Sequence, residues 1–129
     1  MHFSVGAVIR KDGKYLLIDR VREPFGFAGL AGHVDEGETP EEALIRETEE
    51  ESGLKVVSHA LLFEEEVLWN YCGAGVGSHY WYLYSCEVEG KERKEDGEAK
   101  SMGWYTPAEM KNLKMEPVWE YWFRKMGVL

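Results

Sequence analysis

Apolar side chains cluster near the start of the chain in two short runs, residues 3–9 and 15–18, both of β-forming type. Between them lies Arg10-Lys11-Asp12-Gly13-Lys14, whose Asp-Gly step predicts a tight hairpin, because glycine accepts the positive φ such a turn requires. Residues 19–38 lose the pattern and are punctuated by Gly26, Gly29, Gly32 and Gly37, so a loop is expected there. Thr39-Pro40-Glu41-Glu42 then combines an N-cap, a first-turn proline and a glutamate able to close a capping box. With Gly53 as the stop, a helix over Pro40–Ser52 follows. Strand character returns in 55–68 and 79–88, rich in Val, Tyr, Trp and Leu. The glycine-rich stretch 73–78 between them reads as a hairpin loop in preference to a ligand-contacting one, and it is not a P-loop, since no Gly-Lys-Ser/Thr follows.

The remainder alternates in the same way. Residues 91–100 are charged and expected to be an exposed loop, and 101–105 a short strand. Thr106-Pro107-Ala108-Glu109 repeats the capping-box logic for a short helix. Pro117 opens a last helix with Val118, Trp122, Phe123 and Met126 on one side, a stripe that reads as core packing and not as a cofactor box. Strands interspersed with helices, one of them between the second and third strands, predict a mixed α/β (α+β) sandwich. With no internal repeat and no linker, a single domain over 1–129 is expected, large enough to bury a core.

Charge narrows the function classes. The chain has 24 acidic and 15 basic residues, a formal net charge of −9. That argues against nucleic acid or an anionic membrane as the main partner, since both reward basic patches. It leaves room for a small phosphorylated ligand, whose charge a divalent cation can offset. Cys72 and Cys86 have neither metal spacing nor a disulfide framework, which suits a reducing cytoplasm. No signal peptide is expected from the first residues, and no apolar run is long enough to span a bilayer.

Residues 39–52 change the picture most. On a helical wheel Glu47, Glu50 and Glu51 fall within an arc of about 100°. Like charges three and four apart cost a few tenths of a kcal/mol per pair. Glu49, Glu50 and Glu51 also crowd the last turn, where the helix dipole favours cations. A glutamate-rich helix is often only a solvated face. Here, however, the helix follows a glycine-rich loop containing Glu38, and Arg46 sits beside Glu47. Clustered hard oxygen donors suit Mg²⁺ or Mn²⁺, which would relieve the repulsion.

From residue 32 to 54 the chain reads Gly-His-Val-Asp-Glu-Gly-Glu-Thr-Pro-Glu-Glu-Ala-Leu-Ile-Arg-Glu-Thr-Glu-Glu-Glu-Ser-Gly-Leu. This resembles the signature of the Nudix hydrolase family, G-x5-E-x7-R-E-U-x-E-E-x-G-U, where U is a bulky aliphatic residue. Gly32, Glu38, Arg46, Glu47, Glu50, Glu51, Gly53 and Leu54 match. Thr48 departs from a U position, and Ala31 and His33 stand where many members have proline and glycine. The likeness extends more loosely to the N-terminal hairpin, to Arg20, and to Trp104-Tyr105 with the segment after it.

The resemblance implies a Nudix-type α/β/α sandwich with a mixed central β-sheet, and hydrolysis of a nucleoside diphosphate linked to another group. It implies metal ligation by Glu47, Glu50 and Glu51, with the Gly32 carbonyl as a further ligand and Glu38 in support. Arg46 would hold a box glutamate through a bidentate ion pair. Some relatives draw another carboxylate from a loop before the last strand, so Glu95 and Glu98 are candidates. The catalytic set expected is thus Glu47, Glu50, Arg46 and Glu98, with the identity of the base open. Arg20, Phe27 and Tyr71 are candidate substrate contacts. Among other aromatics available to a base are Phe25, Trp69, Tyr80 and Trp81. Tyr71 falls 17 positions past Leu54, where members acting on diadenosine polyphosphates tend to carry a tyrosine. Neither the proline associated with ADP-ribose specialists nor the tract of NADH-cleaving relatives is found. His33, His59 and His79 read as structural or solvent-facing. A nucleotide or dinucleotide polyphosphate is the expected substrate, with ADP-ribose or a nucleotide sugar as the alternative, and a nucleotide-sensing domain without turnover as the competing class. A homodimer is left open.

Overall fold

All the strands and helices expected from the sequence recur in the computed structural model, which describes residues 2–69 and 78–129. In chain order they are β1 (His2–Lys11), β2 (Lys14–Arg20), β3 (Phe27–Ala28), β4 (Leu30–His33), α1 (Pro40–Ser52), β5 (Lys55–Val67), β6 (His79–Glu89), β7 (Ala99–Tyr105), α2 (Pro107–Met110) and α3 (Pro117–Lys125). The β1–β2 connection places both Asp12 and Gly13 at positive φ, 53° and 76°, the backbone an Asp-Gly hairpin adopts. One expectation needs correcting. Residues 19–38 are not wholly a loop, because β3 and β4 lie within them.

The strands of the described residues form a mixed sheet. β1 pairs in parallel with β6, while β4 pairs antiparallel with β1 on the opposite edge. β5 runs antiparallel to β6. β2 turns back from β1 and pairs antiparallel with both β3 and β7.

Helices cover both faces of β1 and β2, which explains why these two strands are apolar in continuous runs and do not alternate. Val5, Ala7 and Ile9 of β1, with Leu16 and Ile18 of β2, pack under Ala43 and Leu44 of α1. The intervening Val8, Tyr15 and Leu17 face Trp119, Trp122 and Phe123 of α3. Burying side chains such as Leu44 or Phe123 stabilises by about 1.5–3 kcal/mol each. The result is the expected α/β/α sandwich. No helix among the described residues is long and apolar enough to cross a membrane.

Helix α1 is fixed at both ends. Thr39 accepts from the Glu42 N–H, and the Glu42 side chain accepts from the Thr39 N–H, completing the capping box. Gly53, at φ 74°, ends it and donates its N–H to the Glu49 carbonyl at 2.8 Å. One face is anchored by Ala43 and Leu44, so the register of the helix against β4 and β1 is set before its acidic last turn begins.

Candidate active site

Four segments converge on one cleft of about 960 Å³. β4 contributes Ala31, Gly32 and His33, and α1 contributes Glu47, Glu50 and Glu51. The connection after β6 adds Arg93, Glu95 and Glu98, while Arg20 and Arg22 enter from the end of β2. That connection is tied to the helix end by the Arg93 N–H, which donates to the Ser52 carbonyl at 2.8 Å.

β4 and α1 approach tightly at Gly32. A Cβ there would lie 2.1 Å from Cδ of Glu47 and 2.4 Å from its Cγ, so only glycine lets this carboxylate lie against the strand. Arg46 organises the neighbouring acids. Its Nε and Nη2 donate to the two oxygens of Glu38 at 2.7 and 2.9 Å, a bidentate pair. Its Nη1 reaches Glu47 at 2.8 Å and Glu50 at 3.3 Å, and Nη2 also donates to the His33 carbonyl at 3.1 Å. Glu38 takes a further bond from the Asp35 N–H at 2.9 Å.

The carboxylates differ sharply in environment. Arg46, then the Asp35 N–H, holds the Glu38 carboxyl down at about 2. Glu47 is pushed up by burial, which outweighs the Arg46 contact. Glu51, only 7% exposed, is pushed well above the usual carboxylate range, first by burial and then by the charges of Glu47 and Glu98. Arg20 and the Ala31 N–H, which donates to Glu51 at 3.1 Å, offset this only in part. A buried acid with acidic neighbours and one backbone donor is poorly satisfied by the protein alone. Hard oxygen donors so arranged fit Mg²⁺ or Mn²⁺.

Most of the candidates from the sequence are brought together here. Gly32, Glu47, Glu50, Glu51, Arg20, Glu95 and Glu98 all border the cleft. Glu38 and Arg46 form the bonded layer beside it. Phe27 is not brought in: its ring packs on Tyr105 at 5.7 Å, against the α3-side core. The β3 pairing of Phe27 with Asp19 turns that side chain inward. Trp81 borders the cleft but is held in the core against Trp119 and Trp122. Phe25 is half exposed and carries Lys100 over its ring, Trp69 packs on Tyr121, and Tyr80 lies beside Phe3 and Tyr82. Tyr71 lies outside the described residues, as does Cys72.

Several further residues border the cleft. Arg22 and Arg93 bring cationic groups to its otherwise acidic lining. The Arg-x-Arg spacing from Arg20 hints at the first, whereas Arg93 sits in a mixed-charge stretch without a distinguishing signal. Glu116 is buried at the cleft floor and caps α3, accepting from Val118 and Trp119 N–H groups at 3.2 and 3.3 Å. Its carboxyl is pushed up by burial. Among the histidines, His59 is exposed on β5 beside Tyr84. His79 is buried on β6, its pKa lowered to about 4 by burial and then by His33 and His2.

Comparison with known proteins agrees with this geometry. Residues 1–126 match the family described as the NUDIX domain. An ADP-ribose pyrophosphatase of Methanocaldococcus jannaschii is 51% identical over 53 residues, 40% of this chain but only 31% of that relative's length. Among solved structures, a MutT NUDIX hydrolase from Burkholderia pseudomallei aligns with a TM-score of 0.74 at 28% identity, covering 84% of each chain. A MutT protein from Bacillus halodurans shares the fold with a TM-score of 0.80 at 20% identity, over 96% of this chain and 80% of that one.

Proposed function

The chain belongs to the Nudix hydrolase family, and from that premise we propose that it is a divalent-cation-dependent pyrophosphohydrolase acting on a nucleoside diphosphate linked to a further group. The observation that carries this reading is the buried Glu51 carboxyl beside Glu47, at a cleft that Arg20, Arg22 and Arg93 also line. Glu47, Glu50 and Glu51 would hold Mg²⁺ or Mn²⁺, with the Gly32 carbonyl as a further oxygen donor. When bound, such a cation screens the anionic diphosphate, polarises a phosphoryl oxygen and makes water more acidic.

The protein's own groups supply the rest. Arg46 is a positioning residue: its fork holds Glu47 and Glu50 in register while Glu38 anchors the guanidinium. Arg20, Arg22 and Arg93 would bind phosphate oxygens and orient the diphosphate. The water oxygen forms a bond to phosphorus and the bridging P–O bond breaks, with the bridging oxygen leaving on the second phosphate. A cleft carboxylate takes the proton of the attacking water, Glu50 and Glu98 being the candidates.

A nucleotide or dinucleotide polyphosphate is the first substrate class. The relative named as an ADP-ribose pyrophosphatase favours ADP-ribose as a second. The test is product analysis by mass spectrometry over both classes, with Mg²⁺ against EDTA, for the wild type, Glu50→Gln and Glu98→Gln. Mg²⁺-dependent release of a nucleoside monophosphate, strongly reduced in at least one variant, is expected. Equal release in every sample would sink the enzyme reading.

A further inference from the structure

Beside the carboxylate cluster, a second group of ligand-type side chains has no part in the reading above. One ring nitrogen from each of His2, His33 and His79 lies within 4.8 Å of the other two. We propose that these three imidazoles form a separate site for a borderline divalent transition ion of the Zn²⁺ type.

The sheet itself creates this convergence. β1 runs between β4 and β6, so that Ser4 is opposite His33 on one edge and His2 is opposite His79 on the other. His2 and Ser4 are two apart and share a face of β1, which brings all three imidazoles to one side of three adjacent strands. The ring centroids of His2 lie 4.8 Å from His33 and 5.6 Å from His79. The His33 and His79 rings stack at 5.6 Å with 21° between planes.

Packing alone leaves one observation unexplained. His79 is 2% exposed, and its Nε2 has no hydrogen-bond partner among the described residues. Its other nitrogen, Nδ1, is engaged with Ser4 Oγ at 2.9 Å. In the tautomer where Nδ1–H donates to Ser4, Nε2 presents a lone pair and the ring is oriented as metal-bound histidines are by an outer partner. Coordination would satisfy that nitrogen. Three imidazoles with an open fourth position match zinc donor sets. Zn–N bonds of about 2.0–2.1 Å call for nitrogens roughly 3.4 Å apart, so from separations of up to 4.8 Å the rings must draw in by at most about 1.4 Å. His2 and His33, both solvent-accessible, can supply that by side-chain rotation. Ligand chemistry separates the two sites, because imidazole suits Zn²⁺ whereas Mg²⁺ prefers carboxylates and water. His33 and His79 also border the cleft, so an ion held here would sit on the wall of the substrate volume.

The test uses the tag-free full chain with saturating Mg²⁺ present to occupy the carboxylates. Zn²⁺ is titrated by calorimetry and by imidazole-edited NMR. One equivalent should bind, shifting the ring signals of His2, His33 and His79, while His59, the remaining histidine of the four, stays in place as internal control. His2→Gln and His33→Gln should each weaken Zn²⁺ binding at least tenfold. Both are accessible positions, so folding can be checked by thermal melts, whereas the buried His79 is a poorer choice. The proposal is overturned if Zn²⁺ causes no imidazole shifts. It is equally overturned if Glu47→Gln and not His2→Gln removes binding, or if folded His2→Gln and His33→Gln bind as the wild type does. None of these readouts requires turnover, so failure here is distinguishable from failure of the hydrolase reading.

Discussion

Gly32→Ala tests the geometry of the acidic cleft most directly. The added Cβ would stand 2.1 Å from Glu47 Cδ and 2.4 Å from its Oε2. Carbon atoms rest at about 3.5–4.0 Å, so Glu47 must retreat by roughly 1.4 Å. It is not free to choose its direction, because Arg46 holds its Oε1 at 2.8 Å. The atoms struck belong to a long side chain near solvent, which keeps the folding cost near the low end of overpacking, about 1 kcal/mol. For a chain of this length that is a melting shift of roughly 3–5 °C. Activity should suffer far more, since displacement of about 1 Å at a reacting centre costs on the order of 10²-fold. Steady-state kinetics with a Mg²⁺ titration, run beside thermal melts, separates the two effects. A Gly32→Ala enzyme with wild-type kcat/KM and unchanged Mg²⁺ dependence would refute the claim that this contact sets the position of Glu47.

Other outcomes follow from the same contacts. Arg46→Lys replaces a planar fork that bonds Glu38, Glu47, Glu50 and the His33 carbonyl with a single ammonium, so activity should drop roughly 10–100-fold with little loss of fold; wild-type kinetics would contradict the positioning role. Glu38 has a lowered folded pKa, so its contribution is present above the ordinary value of 4.5 and is lost as pH falls through about 2. Denaturant melts of Glu38→Gln should accordingly lose part of the acid limb of the stability profile. Glu51 has the opposite sign: its raised pKa means stability is full below 4.5 and declines as pH rises through the folded value. In EDTA, Glu51→Gln should therefore be more stable than wild type at about pH 8, by a margin that shrinks toward about pH 5, while being inactive with Mg²⁺. A wild type that is the more stable of the two throughout would contradict the account of Glu51. Thr39→Ala removes the N-cap of α1 and should cost about 1 kcal/mol, read as a lowered denaturation midpoint.

What could be read along the chain was local chemistry. The Asp12-Gly13 turn, the Thr39/Glu42 and Thr106/Glu109 capping boxes and the Gly53 stop each depend on a few adjacent residues, and all occur where the sequence puts them. The Glu47/Glu50/Glu51 face is legible for the same reason, because helix periodicity fixes it. β4 escaped notice because Leu30-Ala31-Gly32-His33 shows no alternation and is defined by pairing with β1, far back in sequence. Phe27 is an aromatic in a glycine-rich stretch, and only its tertiary packing on Tyr105 shows that it serves the core. The placement of Glu95, Glu98 and Arg93 could not be seen in spacing at all, since it depends on how the connection after β6 is tied back to Ser52. For the same reason the histidine cluster is invisible in sequence, being a product of register across β4, β1 and β6.

Helix α1 is arranged so that its two halves oppose each other. The first half carries the cap, the proline, and Ala43 and Leu44 in the core. The last turn has no basic residue and places Glu49, Glu50 and Glu51 against the unfavourable end of the dipole. Such a turn would fray on its own, so its order must come from the anchored first half, from the Gly53 cap and from Arg46. Improving the last turn electrostatically, by Glu50→Lys or Glu51→Gln, should therefore raise the stability of the metal-free protein while removing the donors that the cleft is built around. Stability and cation binding should change in opposite directions along such a series, which a set of melts with and without Mg²⁺ can measure. Were the two to rise and fall together, the acidic face would be a stabilising surface after all, and its proximity to Gly32 would have no functional meaning.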